Sequence, residues 1–209
     1  GMEFASEMVV KASLLGMRVA EVPVTLSPDG RSRRPHLRTW RDGWRHLRFL
    51  LLYSPRWLFL YPGLLLMLIG TAAGLWLLPG PRVVNGIGFD VQTLLYSGVA
   101  VLLGFQAVVF AVFTKVYAIS SGLLPGDRRV ERALRLITLE AGLIVGALLV
   151  FFGLAGSLYA VGVWGEMRYA ELNPSMTMRI IVPSVVSLTL GVQIILSSFF
   201  LSVLGLRQR

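Results

Sequence analysis

Cysteine is absent from the 209 residues, which excludes a disulfide frame, a thiolate metal site and a cysteine nucleophile. Histidine occurs twice, at His36 and His46, too seldom for a His-rich zinc centre. Charge is scarce as well: Asp, Glu, Lys and Arg make up 15% of the chain, against ~25% in soluble domains. Acidic residues number 11, and no Asp-x-Asp motif occurs among them. Glu3, Glu7, Glu21, Asp29 and Asp42, the five that precede the first long apolar run, are too scattered to form a carboxylate site, so the chain offers no metal ligand set. Lysine is confined to Lys11 and Lys115. These shortages exclude a disordered chain, a coiled coil and an ordinary soluble globule. What replaces the missing polar residues is apolar: 55% of the chain is hydrophobic, and 22 glycines accompany it.

Four apolar runs follow Arg56, at about 57–78, 91–119, 137–163 and 179–206. Each exceeds the ~20 residues that a helix needs to cross ~30 Å of hydrocarbon. A helix also satisfies its own backbone groups, as lipid demands. The sequence therefore predicts a mainly α, polytopic membrane domain over 57–209. The first run starts too far from the N-terminus to be a signal peptide. Basic residues set the orientation. With residues 1–56 placed in the cytoplasm, 17 of the 20 Lys and Arg fall on that side, and only Arg82, Arg168 and Arg179 fall on the other. Such a bias puts both termini in the cytoplasm. An inner (cytoplasmic) membrane location is expected, with Pro79–Asp90 and Trp164–Met178 as the outer connections.

Within the spans, Gln106 and Gln193 lie near mid-depth, where amides seek partners, and are expected to fasten helices. Gly70-x-x-x-Gly74 and Gly142-x-x-x-Gly146 allow close helix contact, and leave a homo-oligomer through these helices open. No charge falls at mid-span, unlike most ion-coupled transporters.

The first 56 residues differ in kind. Phe4, Met8, Ala12 and Leu15 fall on one face of a short helix that Gly16 ends. Arg18–Leu26 reads as a strand, interrupted by Pro23, and Ser27-Pro28-Asp29-Gly30 as a turn. After the loop Arg31–Pro35, an amphipathic helix is predicted from about His36 to Tyr53. Leu37, Trp40, Trp44, Leu47 and Leu51 share about 80° of arc. Arg38, Arg41, Arg45 and Arg48 form a stripe beside them. Such a helix suits the headgroup layer, with arginines at lipid phosphates and indoles at the interface. A basic helix packed on a soluble domain is the alternative. Ser54-Pro55 ends it. A helix, a strand and a turn cannot bury a core, so residues 1–30 read as the last part of a larger cytoplasmic domain.

The ordered set Phe4, Glu7-Met8, Gly16, Glu21-Val22-Pro23-Val24 and Gly30-Arg31-Ser32-Arg33 resembles the end of the catalytic domain of family 2 glycosyltransferases. Within that family it is most similar to the polyprenyl-phosphate, dolichol-phosphate mannose synthase-like branch. The resemblance covers residues 1–60. It implies that residues 1–30 are a helix–strand remnant of a GT-A type α/β domain, and that 31–56 hold an acceptor loop and the interface helix. It implies that Gly30, Arg31, Ser32, Arg33 and Arg34 bind the lipid phosphate, and that Glu7 faces the acceptor side as the candidate catalytic residue, the alternative being a solvated glutamate paired with Lys11 one turn on. Arginine forks suit a phosphate dianion through paired hydrogen bonds. Trp40, Arg41, Trp44, Arg45 and Arg48 are the expected membrane-interface residues. Arg33 stands where the family commonly has Lys, and Asp29 directly precedes Gly30.

The family's Asp-Asp loop and Asp-x-Asp motif, which hold a nucleotide sugar and a divalent cation (Mg or Mn), lie upstream of the matched region. The expectation is a membrane-anchoring, acceptor-binding part of an enzyme that moves a sugar from a nucleotide sugar to a polyprenyl phosphate. Its partners would be membrane lipids and polyprenyl phosphate, not nucleic acid. It would hold no cofactor of its own and be inactive alone. The alternatives are a non-catalytic membrane protein, such as a lipid-carrier flippase partner or assembly scaffold, and a small transporter.

Overall fold

The structure is a computed structural model and describes residues 3–25, 30, 40–45, 47, 54–121, 138–166, 168 and 174–206. Four of its helices are long and apolar enough to cross a membrane, so the chain is a multi-pass membrane protein.

Helix α1 (Glu3–Leu14) opens the chain. It ends as the sequence predicts: Gly16 takes φ +66°, a value that favours glycine. The Met17 N–H then reaches back to the Ala12 carbonyl and the Gly16 N–H to Ser13, a Schellman closure. Residues 17–25 lie outside any helix or ladder and are exposed. Over Arg18–Thr25 the expected strand is thus not formed. A strand needs a hydrogen-bonded neighbour, and the described residues bring none to it. Leu26 and the predicted turn up to Asp29 lie outside the described residues.

The first span starts with a π-helical turn, Arg56–Leu60, and continues as α2 (Tyr61–Leu77). A β-hairpin follows, β1 (Arg82–Val84) antiparallel to β2 (Ile87–Phe89). Its turn is Asn85-Gly86, with φ +50° and +79°, the pair of positive values that a two-residue hairpin requires. The other three spans are α3 (Val91–Ser120), α4 (Leu139–Glu166) and α5 (Pro174–Leu206). Helix α5 begins well before Arg179, because proline is tolerated in a helix's first turn. That puts Arg179 inside the helix, not at its edge.

The spans pack in the order α2–α3–α5–α4. Two tight hairpins, α2/α3 and α4/α5, meet along the seam between α3 and α5. In lipid, close packing replaces the hydrophobic drive, and small residues permit it. Gly63, Gly70, Gly104, Gly146, Gly153 and Gly191 do this work here. A Cβ on Gly104 would sit 2.5 Å from the Gly63 carbonyl oxygen, and one on Gly191 2.6 Å from that of Gly146. The glycines of both Gly-x-x-x-Gly pairs face neighbours within the chain: Gly70 and Gly74 face Ser97, Gly142 faces Ser198, and Gly146 faces Gly191. Leu77, Leu94 and Val182 form a small core at the hairpin end of the domain, and Phe89 packs against it.

Candidate functional site

Residues 40–45 and 47 are helical. Trp40 is 91% exposed, and Trp44, Arg41 and Arg45 are exposed beside it. Trp40 and Trp44 are four residues apart and share a side of the helix. Among the described residues little covers the two indoles, which stand shortly before the first span. Asp42 lies 4.0 Å from the Arg45 guanidinium, one turn along, a surface pair of small energetic weight. Trp57 stacks edge-on against Tyr61 at 4.9 Å where the first span begins.

Of the expected phosphate loop, Gly30 is described and exposed. Arg31, Ser32, Arg33 and Arg34 lie outside the described residues, as does Arg48. Glu7 lies in the second turn of α1. On the same helix, Phe4, Met8, Ala12 and Leu15 line an open groove of about 320 Å³ with Lys11 and Met17. The predicted apolar face is therefore real, and nothing among the described residues covers it. No group of three His, Asp or Glu lies together among the described residues.

Two further clusters sit in the membrane domain. At the hairpin end, Arg179 donates through Nη1 to the Leu77 carbonyl and through Nη2 to Asp90 Oδ1. Ser175 Oγ donates to the same carboxylate oxygen at 3.2 Å. Asp90 stands at the N-cap of α3, yet its side chain does not cap that helix. It turns to Arg179 instead. The guanidinium sits at the C-terminus of α2 and the carboxylate at the N-terminus of α3, both favoured by the helix dipoles. Three spans are joined at one point. The hydropathy reading missed this because it placed Arg179 at the edge of its span. The signal was an acidic residue before one apolar run and a basic residue inside another.

At mid-depth, Gln193 Nε2 donates to Gln106 Oε1 at 3.2 Å and links α5 to α3. The expected fastening role of the two amides is thus a bond to each other. Gln193 Oε1 is buried without a hydrogen-bond partner among the described residues. Two turns further along the same helices, Phe113 and Phe200 meet with ring centres 4.5 Å apart.

Residues 112–205 match the family described as glycosyltransferase family 2 C-terminal transmembrane region. The chain is also 34% identical, over 208 residues, to the low-salt glycan biosynthesis hexosyltransferase Agl6 of Haloferax volcanii. That similarity covers 98% of this chain and 48% of the relative, so the chain spans about half the length of the curated relative it matches. No solved structure matches significantly.

Proposed function

The chain carries the C-terminal membrane portion of a family 2 glycosyltransferase, and from that premise we propose that it anchors the enzyme and presents its lipid acceptor. The reaction is transfer of a hexosyl group from a nucleotide sugar to a polyprenyl phosphate. The related chain's description as a hexosyltransferase supports the sugar class.

One observation carries the reading: Trp40 and Trp44 stand exposed on a basic helical segment shortly before the first span. The loop Gly30–Arg34 precedes that segment by a few residues, so the segment holds it at headgroup height. A polyprenyl phosphate places its dianion at that height and its tail in the bilayer. Arginine forks meet the phosphate with charge-assisted hydrogen bonds. Holding the lipid head where a soluble donor can reach it reduces the entropic cost of the encounter. The uncovered face of α1, with Phe4, Met8 and Leu15 exposed, is where a catalytic α/β domain packs. The nucleotide sugar and its divalent cation bind on that domain, and this chain alone gives no turnover. The enzyme sits in the cytoplasmic membrane with both termini on the cytoplasmic side.

The test is kinetic and uses a full-length enzyme carrying this segment. Changing Arg31, Arg33 and Arg34 to Gln should raise the acceptor KM or lower kcat, with nucleotide-sugar binding nearly unchanged. Changing Arg41 and Arg45 to Gln should do less, and salt should shrink that smaller effect, because the stripe meets bulk anionic lipid. A triple variant that turns over lipid phosphate at the parent rate would leave the loop arginines with topology alone.

A further inference from the structure

The two hairpins of the membrane domain carry the same contacts at equivalent positions. A Cβ on Gly63 would meet the Gly104 carbonyl oxygen at 2.8 Å, and one on Gly146 would meet that of Gly191 at 2.8 Å. One on Gly70 would meet the Ser97 carbonyl oxygen at 2.6 Å, and one on Gly153 that of Ser184 at 2.7 Å. Gly104 faces Met67 where Gly191 faces Val150. The chain agrees with the contacts. Gly63, Gly70 and Leu75 of α2 recur as Gly146, Gly153 and Leu158 of α4 at constant spacing. On the second helix of each hairpin, Leu103-Gly104-x-Gln106 recurs as Leu190-Gly191-x-Gln193, and Ser97 and Phe113 recur as Ser184 and Phe200.

The seam between the hairpins joins equivalent residues. Gln193 donates to its own counterpart Gln106, and Phe113 meets its own counterpart Phe200 with the rings tilted by 50°. Contact between like residues on neighbouring parallel helices places a two-fold axis between them. An axis along the membrane normal relates parallel repeats in this way, and an interface of one patch with itself is isologous.

We infer that the membrane domain is a duplicated helical hairpin, and that the α3 face bearing Gln106 and Phe113 is a self-complementary surface that fits another hairpin of the same kind. The chain's own second hairpin occupies that surface. Two glutamine amides across a two-fold axis can close two reciprocal N–H···O bonds. The second bond, from Gln106 Nε2, supplies the partner that the buried Gln193 Oε1 lacks among the described residues. Polar atoms at this depth have no water to fall back on. The pair therefore sets the register of the seam. The Arg179–Asp90 contact is where the halves differ: the position equivalent to Asp90 is Thr177, and that equivalent to Arg179 is Gln92. The inference stands independently of the proposed function.

The test uses the whole chain, whose lack of cysteine makes thiol chemistry clean. The Gln106→Cys/Gln193→Cys variant should cross-link within one chain; cross-links that form only between chains overturn the inference. The single variants Gln106→Leu and Gln193→Leu should lower the melting temperature in detergent by equal shifts. The double variant should regain most of that loss, because neither amide is then left alone. Unequal single shifts, or a double variant that loses their sum, overturn the reciprocal pair. A further variant replaces residues 139–206 with a second copy of residues 56–121, with Gln106→Cys in both copies. A monodisperse product that cross-links within the chain supports self-complementarity, and a monodisperse product that does not overturns it. Should that chain fail to accumulate, the leucine comparison decides.

Discussion

Arg179 is a charge placed inside an apolar helix, and its surroundings explain how it is tolerated. Its guanidinium is largely buried and meets Asp90, the residue that opens α3, and Leu77, the residue that closes α2, so the pair stands at the ends of the spans rather than in their middle. The Leu77 carbonyl it meets is one of those that a helix end leaves without an intrahelical partner. Arg179→Leu should therefore cost about 1.5–3 kcal/mol, the range for hydrogen bonds to charged groups, and lower the apparent melting temperature in detergent. Adding Asp90→Asn to that variant should recover part of the loss, since the carboxylate no longer faces a vacant place. If Arg179→Leu melts with the parent, the contact contributes nothing to the packing of the three spans. The mid-depth glutamines were legible in the sequence as polar residues in need of partners. That they choose each other was not, because pairing depends on which helices become neighbours.

The helical hairpins rest on backbone approaching backbone. Gly104 and Gly191 have no room for a side chain, and what they would strike is main chain, which cannot step aside. Gly104→Leu or Gly191→Leu should force its hairpin apart and cost several times more stability than Gly80→Ala, where nothing lies within 4 Å. Thermal aggregation in one detergent, read for all three variants, checks this. The basic segment makes a different demand. With Trp57, Trp76 and Trp164 changed to Phe, the remaining Trp40 and Trp44 should be quenched most by lipids brominated near the headgroup. Strongest quenching by tail-end bromines, or none, would remove the segment from the interface. Four spans were readable from run length alone, and α1 from its apolar spacing and terminal glycine. The Asn85-Gly86 hairpin went unread within the connection Pro79–Asp90, although that dipeptide between apolar residues favours the turn. The strand over Arg18–Leu26 misled because alternation describes what a strand would bury, not whether a partner is there to pair with it. The repeat escaped a reading by runs, because its shared residues are few and its connections differ in length.

On the scale of the whole molecule, loop charge makes a claim about sidedness. Asn85→Cys in the β-hairpin turn should react with an impermeant thiol reagent added to intact cells, and Ser121→Cys at the end of α3 only after permeabilisation. The opposite pattern would invert the topology and carry the basic segment away from a cytoplasmic donor. The membrane domain and its family were within reach of sequence because apolar run length and an ordered motif set are local properties. The proposed phosphate loop is harder to read: Gly30 is exposed, and the arginines beside it lie outside the described residues, so the proposal is argued from charge, order along the chain and the helical segment that follows. The most direct measurement of the central claim is equilibrium binding of the chain, in nanodiscs of neutral lipid, to polyprenyl phosphate and to the matching polyprenol. The phosphate should bind more tightly than the alcohol, and the Arg31, Arg33 and Arg34 to Gln variant should lose that preference at least tenfold. Equal affinity for phosphate and alcohol, or a preference that survives the triple change, would contradict the account.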